Sequence, residues 1–366
     1  MKRKLFLYSA VGLTGTTILS SCSGTTSNSS TQLSSLPSIR WRMATSWTKG
    51  ADVLYDGVEN FCKRISDLTA GRFTITPYSA GEVAPPLEVL QAVQNGTVEC
   101  GDTSSSFHTN KSLALGFGSS VPFGLNAQQQ NAWLYEGGGL EILQKIYADF
   151  GVINWATGNT GVQMGGWFKR PISKVSDLEK LKMRIPGLGG EVMKRLGVDV
   201  KRISSTEVYL ALQRGEIDAA EYIGPFEDQR LKFNEVASFY YYPGWWEPGS
   251  TSFTLVNLAK WNQLPKEYQE ILKTAAMESN VRVLARYDVL NRVALRQLVA
   301  GGTKLTPFSS DILKAAQKAA FEFYEESASN DPTFKQVYEP WKTFREQVYQ
   351  WHRINELSFA EFSFQL

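Results

Sequence analysis

Four polar side chains lie at turns rich in glycine, proline and aromatic residues between positions 158 and 249. They are Gln163, Arg184, Glu221 and Glu247. An arginine at a strand end can present its planar fork to a carboxylate through two parallel charge-assisted hydrogen bonds. Two carboxylates, an amide oxygen and exposed carbonyls form an all-oxygen set that suits a hard cation such as Na⁺ or Ca²⁺. The four side chains could therefore hold an anionic ligand and a cation together.

Each of these side chains also has an ordinary structural interpretation, which the pattern leaves open. Arg184 lies in a lysine-rich segment and fits a surface arginine, and Gln163 fits a loop hydrogen bond. Glu247 fits a glutamate that caps a turn, although a carboxylate among aromatic residues is desolvated and needs a partner. We also predict ligand contacts for Asn159, in the glycine-rich turn, and for Trp47, in the loop after the first strand.

The sequence offers little material for covalent catalysis. Its two histidines, His108 and His352, are far apart and lack the spacing of zinc ligands. No G-x-S-x-G motif and no P-loop are present. Residues 187–190 imitate a dinucleotide-binding loop, but Val192 stands where the third glycine is required. Glu221 and Glu247 could form a glycosidase pair, yet nothing else supports sugar chemistry. We therefore expect a binding protein and not an enzyme.

The first forty residues have the features of an export signal followed by a tether. A positive segment and a short apolar stretch predict a signal peptide over residues 1–21. The stretch ends in a Leu-Ser-Ser-Cys box, so we expect lipid modification at Cys22; an ordinary signal peptide with an accidental cysteine is the alternative. Residues 22–38, rich in Ser and Thr, predict a flexible tether. We thus predict a periplasmic protein that is anchored to the membrane through Cys22.

Length and charge bound the fold and its partners. The 366 residues, 43% of them hydrophobic, suffice for one large domain or two lobes. A net charge of +2 gives no broad basic field, so we expect no nucleic-acid partner. No later apolar run is long enough to predict a membrane span. Cys62 and Cys100 could form a disulfide or stay separate buried thiols, and the sequence leaves this open.

Strands alternate with helices over most of the chain, which predicts parallel α/β units. Strands are expected at residues 39–46, 72–78, 98–102, 152–157, 198–203 and 252–256, and helices at 53–68, 85–94, 127–135 and 140–150. A longer helical pattern over residues 266–300 exceeds the usual helix length and could brace two lobes, serve a dimer or break in the middle. From residue 309 onward the chain is helical, with a break at Asp331 and Pro332.

An internal repeat supports two lobes of related topology. Residues 87–99 align with residues 206–218, with Glu, Val, Ala, Gln and Gly at matching positions. Each copy follows a strand and contains a helix that ends near a glycine. Each then leads into a short strand that a carboxylate follows, Asp102 in the first copy and Glu221 in the second. Because ligands bind beyond the carboxyl ends of strands in open α/β sheets, two such lobes would enclose a cleft between their strand ends. Chance similarity is the alternative.

At these residues the sequence resembles the extracytoplasmic solute-binding subunit of TRAP transporters, the DctP-type family, over nearly all the mature chain. The general signature is the segment 177–184, which ends in Arg184. Segments 158–161, 163–168, 219–222 and 243–247 are similar to the subfamily that binds 2-oxo acids and related monocarboxylates with a metal ion. Position 222 is often Trp in such relatives and is Tyr222 here, which leaves the exact substrate open.

The resemblance implies a role for each residue of the set. Gln163 would contact both metal and ligand, and Arg184 would clamp the ligand carboxylate. Glu221 and Glu247 would bind the metal through their side chains and Tyr222 through its backbone carbonyl. The formal charges of the two glutamates, the arginine and a monocarboxylate sum to −2. Ca²⁺ would neutralise this charge fully and Na⁺ by half, but the subfamily is known with either ion.

The implied fold is α/β, a two-lobe periplasmic-binding-protein-like clamshell with a long helix spanning both lobes. We expect lobe 1 over residues 39–160 with a return strand near 251–257, lobe 2 over 161–250, the long helix over 265–300, and a C-terminal strand and helices over 301–366. The implied function is delivery of a small 2-oxo monocarboxylate, such as pyruvate, to the TRAP membrane permease subunits. Some members form dimers through exchanged C-terminal helices, so a homodimer is expected.

Two rival functions stay open at this point. One is a binding protein for lactate, a dicarboxylate or an amino acid, which a second basic residue in the pocket would favour. The other is a lipid-anchored envelope enzyme, which turnover of a bound acid would reveal.

Overall fold

The computed structural model describes residues 36–50 and 53–365. The chain divides into a unit that ends at Leu36 and a body that begins at Pro37. The predicted signal peptide, Cys22 and most of the predicted tether lie outside the described residues. Within the described part of the chain, no helix is long and apolar enough to cross a lipid bilayer.

The first sheet has five strands in the spatial order β2-β1-β3-β10-β4. The strands are β1 Ile39–Thr45, β2 Phe73–Tyr78, β3 Cys100–Ser104, β4 Val152–Asn159 and β10 Thr251–Asn257. Strand β1 runs parallel to β2 and β3, whereas β10 is antiparallel to β3 and β4. The helices that accompany this sheet are α1 Val53–Leu68, α2 Val89–Gln94, α3 Gly116–Ser119, α4 Ala127–Tyr135 and α5 Gly139–Ala148. We call this sheet with its helices lobe 1.

The second sheet has six strands in the order β11-β9-β5-β8-β6-β7. The strands are β5 Trp167–Phe168, β6 Lys182–Arg184, β7 Asp199–Lys201, β8 Ala219–Ala220, β9 Phe239–Tyr242 and β11 Lys304–Pro307. Strand β6 is parallel to β7 and β8, and β5 is antiparallel to β8 and β9. Its helices are α6 Gly187–Arg195, α7 Val208–Arg214, α8 Pro225–Arg230 and α9 Phe233–Val236. We call this sheet with its helices lobe 2.

The sequence repeat corresponds to a repeated supersecondary unit. In lobe 1 the order β1-α1-β2-α2-β3 places β1 between its two parallel partners. In lobe 2 the order β6-α6-β7-α7-β8 places β6 in the same way. Helix α7 ends at Gly215 in the left-handed conformation, which glycine adopts without a steric cost. The predicted two-lobe α/β architecture is confirmed.

Two extended connections and one helix join the lobes. Residues 160–166 run from β4 in the first sheet to β5 in the second, and residues 243–250 run back from β9 to β10. After the short helix α10 Leu258–Asn262, the predicted long helix is confirmed as α11 Lys266–Ala300. Its 35 residues span about 52 Å at the usual rise of an α-helix. It packs against α1 and β4 of lobe 1 and against α8 of lobe 2.

The C-terminal helices cover both lobes. Helix α12 Ser310–Asn330 packs on α6, and α13 Pro332–His352 packs on α4 and α5. Asp331 begins α13 by accepting hydrogen bonds from the backbone N–H groups of Thr333 and Phe334. A π-helical segment, Arg353–Leu357, and α14 Ser358–Ser363 follow.

Two predicted elements begin at least two residues later than expected. The helix expected to open at Pro85 and Pro86 begins at Val89, because Pro86 disfavours helical backbone at Pro85. The Glu88 N–H donates to the Pro85 carbonyl at 2.9 Å and closes a turn that precedes the helix. The strand expected at residues 98–102 is Cys100–Ser104, because pairing with both β1 and β10 fixes its ends. Asp102 therefore lies inside the strand and does not follow it. Cys62 and Cys100 are separate, buried free thiols.

Candidate functional site

A cavity of about 40 Å³ lies between the two lobes. Each lobe and both connections contribute to its wall, and the lining residues are Trp47, Leu54, Ser104, Ser106, Phe107, Thr160, Gln163, Arg184, Pro186, Ser205, Glu221, Tyr222, Ile223, Glu247 and Ser250. Its size suits a molecule of a few heavy atoms. Of the seven predicted site residues, the cavity brings together all but Asn159.

Neighbouring strand ends of lobe 2 supply three of these residues. Arg184 is the last residue of β6, and Glu221 and Tyr222 follow the last residue of β8. The two strands are parallel neighbours, with Arg184 beside Ala220, and the Glu221 N–H donates to the Arg184 carbonyl at 2.9 Å. Because the carboxyl ends of parallel strands meet at one edge of a sheet, the three residues share that edge.

Arg184 and Glu221 form a buried ion pair at this edge. Arg184 Nη1 donates to Glu221 Oε2 at 2.6 Å and to the Glu221 carbonyl at 2.8 Å, and both side chains are 4% exposed. Arg184 Nε donates to the Ile203 carbonyl at 3.3 Å, and the guanidinium lies 5.8 Å from the centre of the Tyr222 ring. Within the described part of the chain, Nη2 makes no hydrogen bond and stays available to a ligand.

Gln163 and Glu247 lie on the two connections, which are hydrogen-bonded to each other. The Gln163 N–H donates to the Glu247 carbonyl at 3.1 Å, and the Gly244 N–H donates to the Gln163 carbonyl at 3.0 Å. The Thr160 N–H also donates to the Ser250 carbonyl at 2.9 Å. A ligand that binds these two side chains therefore acts directly on the segments that link the lobes.

Three oxygen atoms converge where the first connection meets lobe 2. The amide oxygen of Gln163 lies 2.5 Å from the Tyr222 carbonyl oxygen and 3.0 Å from Glu221 Oε1, while its Nε2 donates to Thr160 Oγ1 at 3.2 Å. Oxygens at these distances repel one another unless a hydrogen or a cation lies between them. Either the amide is turned and donates to both acceptors, or a cation occupies the space between the oxygens.

Burial favours the neutral forms of both glutamates. Desolvation raises the pKa of Glu247 to about 7, against the opposing effects of Ser250 and the charge of Arg184. Desolvation also raises the pKa of Glu221 well above its usual range, although Arg184 lowers it and Glu247 raises it further. Glu247 Oε2 has no hydrogen-bond partner. Both carboxylates are therefore poised to bind a proton or a cation.

The donor chemistry fits a hard cation better than a transition metal. In the described ranges, no group of three or more His, Cys, Asp and Glu side chains could hold a metal. The oxygens that could do so come from two carboxylates, one amide and one backbone carbonyl. Among the residues that the structure describes, the charged ones that line the cavity are Arg184, Glu221 and Glu247, whose charges sum to −1 when all are ionised. An anion would enter this cavity more favourably together with a cation.

Lobe 1 gives the cavity an aromatic wall and several hydroxyl groups. Trp47 donates its indole N–H to Asp102 Oδ1 at 2.7 Å, so only its ring faces a ligand. Asp102 also accepts hydrogen bonds from Thr157 at 2.6 Å and from Thr254 at 2.9 Å. This carboxylate, singled out by the repeat, thus anchors Trp47 and does not line the cavity.

Asn159 does not belong to the described residues that line the cavity, and the ligand contact predicted for it stays a prediction. The Asn159 side chain is fully buried and donates to the Gly249 carbonyl at 3.1 Å and to Thr251 Oγ1 at 3.0 Å. Its Oδ1 accepts from the Gly161 N–H at 2.8 Å. These hydrogen bonds use both polar groups of the Asn159 side chain and link the connection that carries Gln163 to the connection that carries Glu247.

The lobe 1 wall contains serines that the sequence pattern did not indicate. Ser104 Oγ lies 2.7 Å from Ser106 Oγ and 2.8 Å from Ser119 Oγ, and Ser119 Oγ lies 2.9 Å from Ser250 Oγ. Ser104 ends β3, so the strand-end rule that selected Glu221 could have selected it too. Trp245 and Trp246, which precede Glu247 in the chain, are buried in the hydrophobic core.

A small polar cavity between two α/β lobes, joined by two extended connections and a shared helix, defines a two-lobe solute-binding protein. Comparison with protein families gives the same class. The chain belongs to the DctP family of bacterial extracellular solute-binding proteins, family 7, whose model matches residues 43–331. The predicted family, that of TRAP-type solute-binding proteins, is confirmed.

Individual proteins resemble the chain over most of its length. A monocarboxylate 2-oxoacid-binding periplasmic protein of Nostoc sp. is 59% identical over 99% of both chains. A solved TRAP solute-binding protein of Bordetella bronchiseptica is 42% identical, with a TM-score of 0.88, over 90% of this chain and 98% of that one. That structure is a mixed-occupancy dimer with calcium and picolinate. One from Pseudoalteromonas atlantica with bound sodium and pyruvate has a TM-score of 0.85 and 35% identity, over 88% and 98%.

Proposed function

We propose that this chain binds a small 2-oxo monocarboxylate, such as pyruvate, together with Na⁺ or Ca²⁺ and delivers it to a TRAP membrane permease. The observation that carries the proposal is the convergence of the Gln163, Glu221 and Tyr222 oxygens beside the buried Arg184. The Nostoc relative is named for 2-oxoacid binding, and the two solved relatives contain calcium or sodium with a small carboxylic acid.

The proposed metal ligands are Gln163 Oε1, the Tyr222 carbonyl, and the carboxylates of Glu221 and Glu247. The oxygen contacts of 2.5 and 3.0 Å around the Gln163 amide and the unpartnered Oε2 of Glu247 support this set. The cation would replace a proton on the buried carboxylates and supply the positive charge that an anionic ligand needs. The charge sum favours Ca²⁺, whereas the sodium-bound relative supports Na⁺.

The proposed clamp for the ligand carboxylate is the Nη2 side of Arg184. Arg184 is the only cationic residue in the described ranges that lines the cavity. A monocarboxylate therefore fits the charge of the site better than a dicarboxylate, which would leave a second carboxylate without a basic partner. The ring of Trp47 and the side chain of Leu54 form apolar surface for the rest of the ligand, and Ser104 and Ser106 provide hydroxyl groups.

Ligand binding would favour the closed arrangement of the lobes. We take residues 39–160 with the return strand near 251–257 as lobe 1 and residues 161–250 as lobe 2. Arg184, Glu221 and Tyr222 contact the ligand or metal from lobe 2, Trp47 from lobe 1, and Gln163 and Glu247 from the connections. A ligand with contacts on all of these segments stabilises the state that brings them together. No bond of the ligand changes in this process.

Calorimetric titration of the body from residue 38 onward with pyruvate tests the proposal. We expect binding in the presence of Na⁺ or Ca²⁺, loss of binding after metal chelation or exchange into metal-free buffer, and recovery when the correct ion is returned. Binding that persists without either ion would remove the metal from the proposal. If pyruvate fails in all conditions, a screen of lactate, longer 2-oxo acids, dicarboxylates and amino acids decides the ligand class, and turnover of any bound acid would indicate an enzyme.

We also propose that the mature protein is anchored to the membrane through a lipid on Cys22. The support is the Leu-Ser-Ser-Cys box after the apolar stretch, which predicts a periplasmic lipoprotein. Metabolic labelling with a fatty acid should mark the wild-type chain and leave Cys22→Ala unlabelled. Equal labelling of both would refute the anchor.

We further propose a homodimer formed through the C-terminal arm, residues 351–364. This arm exposes Trp351 by 59%, Phe362 by 83% and Phe364 by 80%, together with Ile354, Leu357 and Phe359. A large contiguous apolar surface marks an interface, and the Bordetella relative is a dimer. Light scattering should give a dimer for the full body and a monomer for a chain that ends at His352. A monomeric full body at high micromolar concentration would refute it.

A further inference from the structure

The segment that carries Glu247 rests on a loop outside both sheets. The backbone N–H of Phe123 donates to the Trp245 carbonyl at 2.8 Å, and the two aromatic rings stack with centroids 5.0 Å apart and an interplanar angle of 15°. Gly249 lies so close to this loop that a Cβ at that position would be 2.9 Å from the Leu125 carbonyl oxygen. The position of Glu247 therefore depends on the position of residues 121–126.

The C-terminal helices hold this loop. The Phe123 carbonyl accepts hydrogen bonds from Arg345 Nε at 2.8 Å and from the Tyr349 hydroxyl at 3.1 Å. The Pro122 carbonyl accepts from the Tyr324 hydroxyl at 3.0 Å. The Arg345 guanidinium also lies over the Tyr349 ring, 4.2 Å from its centre. Arg345 and Tyr349 belong to α13, and Tyr324 belongs to α12.

Phe123 needs this support because of its backbone conformation. Its φ angle is +55°, in the left-handed region that bulky residues rarely adopt. Such a conformation persists only where the surrounding contacts determine it. The bonds to the Phe123 carbonyl and the stacking on Trp245 provide these contacts.

We propose that α13 is the positioning element for the metal-binding carboxylate, with Arg345 acting on Glu247 through Phe123 and Trp245. The inference rests on the proposed role of Glu247 as a metal ligand. A shift of Trp245 would move Glu247, which is two residues away, and Gln163, whose N–H donates to the Glu247 carbonyl. Arg184 ends β6 and Glu221 follows β8 in lobe 2, and within the described residues their side-chain hydrogen bonds go to each other and to Ile203, not to residues 121–126. Loss of Arg345 should therefore lower the affinity for the metal more than the affinity of Arg184 for the ligand carboxylate.

The test separates metal affinity from ligand affinity in Arg345→Ala. The metal affinity comes from Ca²⁺ and Na⁺ titrations at saturating pyruvate, and the ligand affinity from pyruvate titrations at saturating metal. Terbium luminescence excited through tryptophan gives an independent measure of the metal site. We expect metal affinity to fall about tenfold, as is usual when a group that orients a metal ligand is removed, with a much smaller change in pyruvate affinity. Arg345→Lys should restore part of the loss.

Lys342→Ala is the matched control. Lys342 lies on the same helix about one turn earlier, where its Nζ pairs with Glu325 at 2.6 Å and lies over the Tyr338 ring. It should lower thermal stability and leave metal affinity unchanged. If Arg345→Ala lowers only thermal stability, as this control does, the inference is wrong. If Arg345→Ala does not fold, Tyr349→Phe serves as the second variant, because it removes only one hydroxyl group. Tyr349→Phe should also lower metal affinity, and an unchanged metal affinity in that variant would overturn the inference.

The wild-type titration separates failure of the inference from failure of the proposed function. A wild-type protein that binds no metal with any small acid refutes the metal site itself. A wild-type protein that binds metal, with an Arg345→Ala variant that binds it equally well, refutes only the positioning role of α13.

Discussion

Replacing Glu247 with glutamine removes one negative charge from the proposed metal site and keeps nearly the same shape. The charged residues that line the cavity are Arg184, Glu221 and Glu247, so their sum changes from −1 to 0. The attraction that a cation loses is proportional to its own charge. The binding free energy lost by Ca²⁺ should therefore be twice that lost by Na⁺, whichever ion the site prefers.

Coulomb's law in water gives the order of magnitude of this loss. At a typical metal–oxygen distance of about 2.4 Å, losing one charge lowers the binding free energy of a monovalent cation by about 1.7 kcal/mol and that of a divalent cation by about 3.5 kcal/mol. These values correspond to roughly 20-fold and roughly 300-fold in affinity. Glu247 is 5% exposed, so water screens its charge poorly, which increases the loss. The glutamine amide oxygen keeps part of the attraction and has no proton to lose, which decreases it.

The assay is calorimetric titration of Na⁺ and of Ca²⁺ into Glu247→Gln and wild-type protein at saturating pyruvate. Glu216→Gln is the control, because it removes the charge of an exposed glutamate of lobe 2 that does not line the cavity. We expect the control to leave both metal affinities nearly unchanged.

The ratio of the two losses decides the interpretation. Equal losses for Na⁺ and Ca²⁺ would mean that Glu247 acts through the shape of its connection and not through its charge on the metal. No loss for either ion would remove Glu247 from the metal site altogether.

Three further predictions concern the clamp, the closure of the cleft and a buried carboxylate. Arg184→Ala should weaken pyruvate binding more than 100-fold, because it removes roughly two charge-assisted hydrogen bonds to the ligand carboxylate. The circular dichroism spectrum should stay unchanged, and an unaltered pyruvate affinity would contradict the clamp. Arg202 Nη2 donates across the cleft to the Phe107 carbonyl at 3.0 Å. Because one hydrogen bond of the closed state is lost, Arg202→Ala should speed pyruvate dissociation roughly fivefold in stopped-flow measurements. An unchanged dissociation rate would exclude this closure contact. Burial raises the pKa of Asp228 to about 7. A raised carboxyl pKa stabilises the fold below the usual value near 4 and loses this effect as pH rises through 7. Metal-free protein should therefore unfold at a lower temperature at pH 8 than at pH 5, and the difference should shrink in Asp228→Asn; an equal difference in both proteins would count against that pKa.

The strand-end residues were predictable because their position follows from local rules. Arg184 closes a short strand before a Pro-Gly turn, and Glu221 follows the strand of the second repeat. Parallel α/β topology then brings both to the same sheet edge, where the structure pairs them at 2.6 Å. The long helix was predictable in the same way, because its apolar spacing continues without a breaker from Lys266 to Ala300.

The lobe 1 wall and the role of Asn159 could not be predicted from these rules. Ser104 and Ser250 are far apart in sequence, and only the pairing of β10 with β3 brings their hydroxyl groups near Ser119. Asn159 has the residue type of a ligand contact, but the crossing of the two connections uses all of its polar groups. Whether a polar side chain faces a ligand or a carbonyl depends on chain segments that sequence spacing does not relate.

The fold class, the chemical nature of the donors and the strand ends that present Arg184 and Glu221 could be read from the sequence. These features follow from periodicity, turn residues and the repeat, which act over short distances along the chain. The approach of the Gln163 amide to within 3.0 Å of the Glu221 and Tyr222 oxygens could not be read there, nor could the loop around Phe123 that links α13 to Glu247. These contacts join segments up to about 220 residues apart, and their geometry is set by the packing of the lobes, the connections and the C-terminal helices.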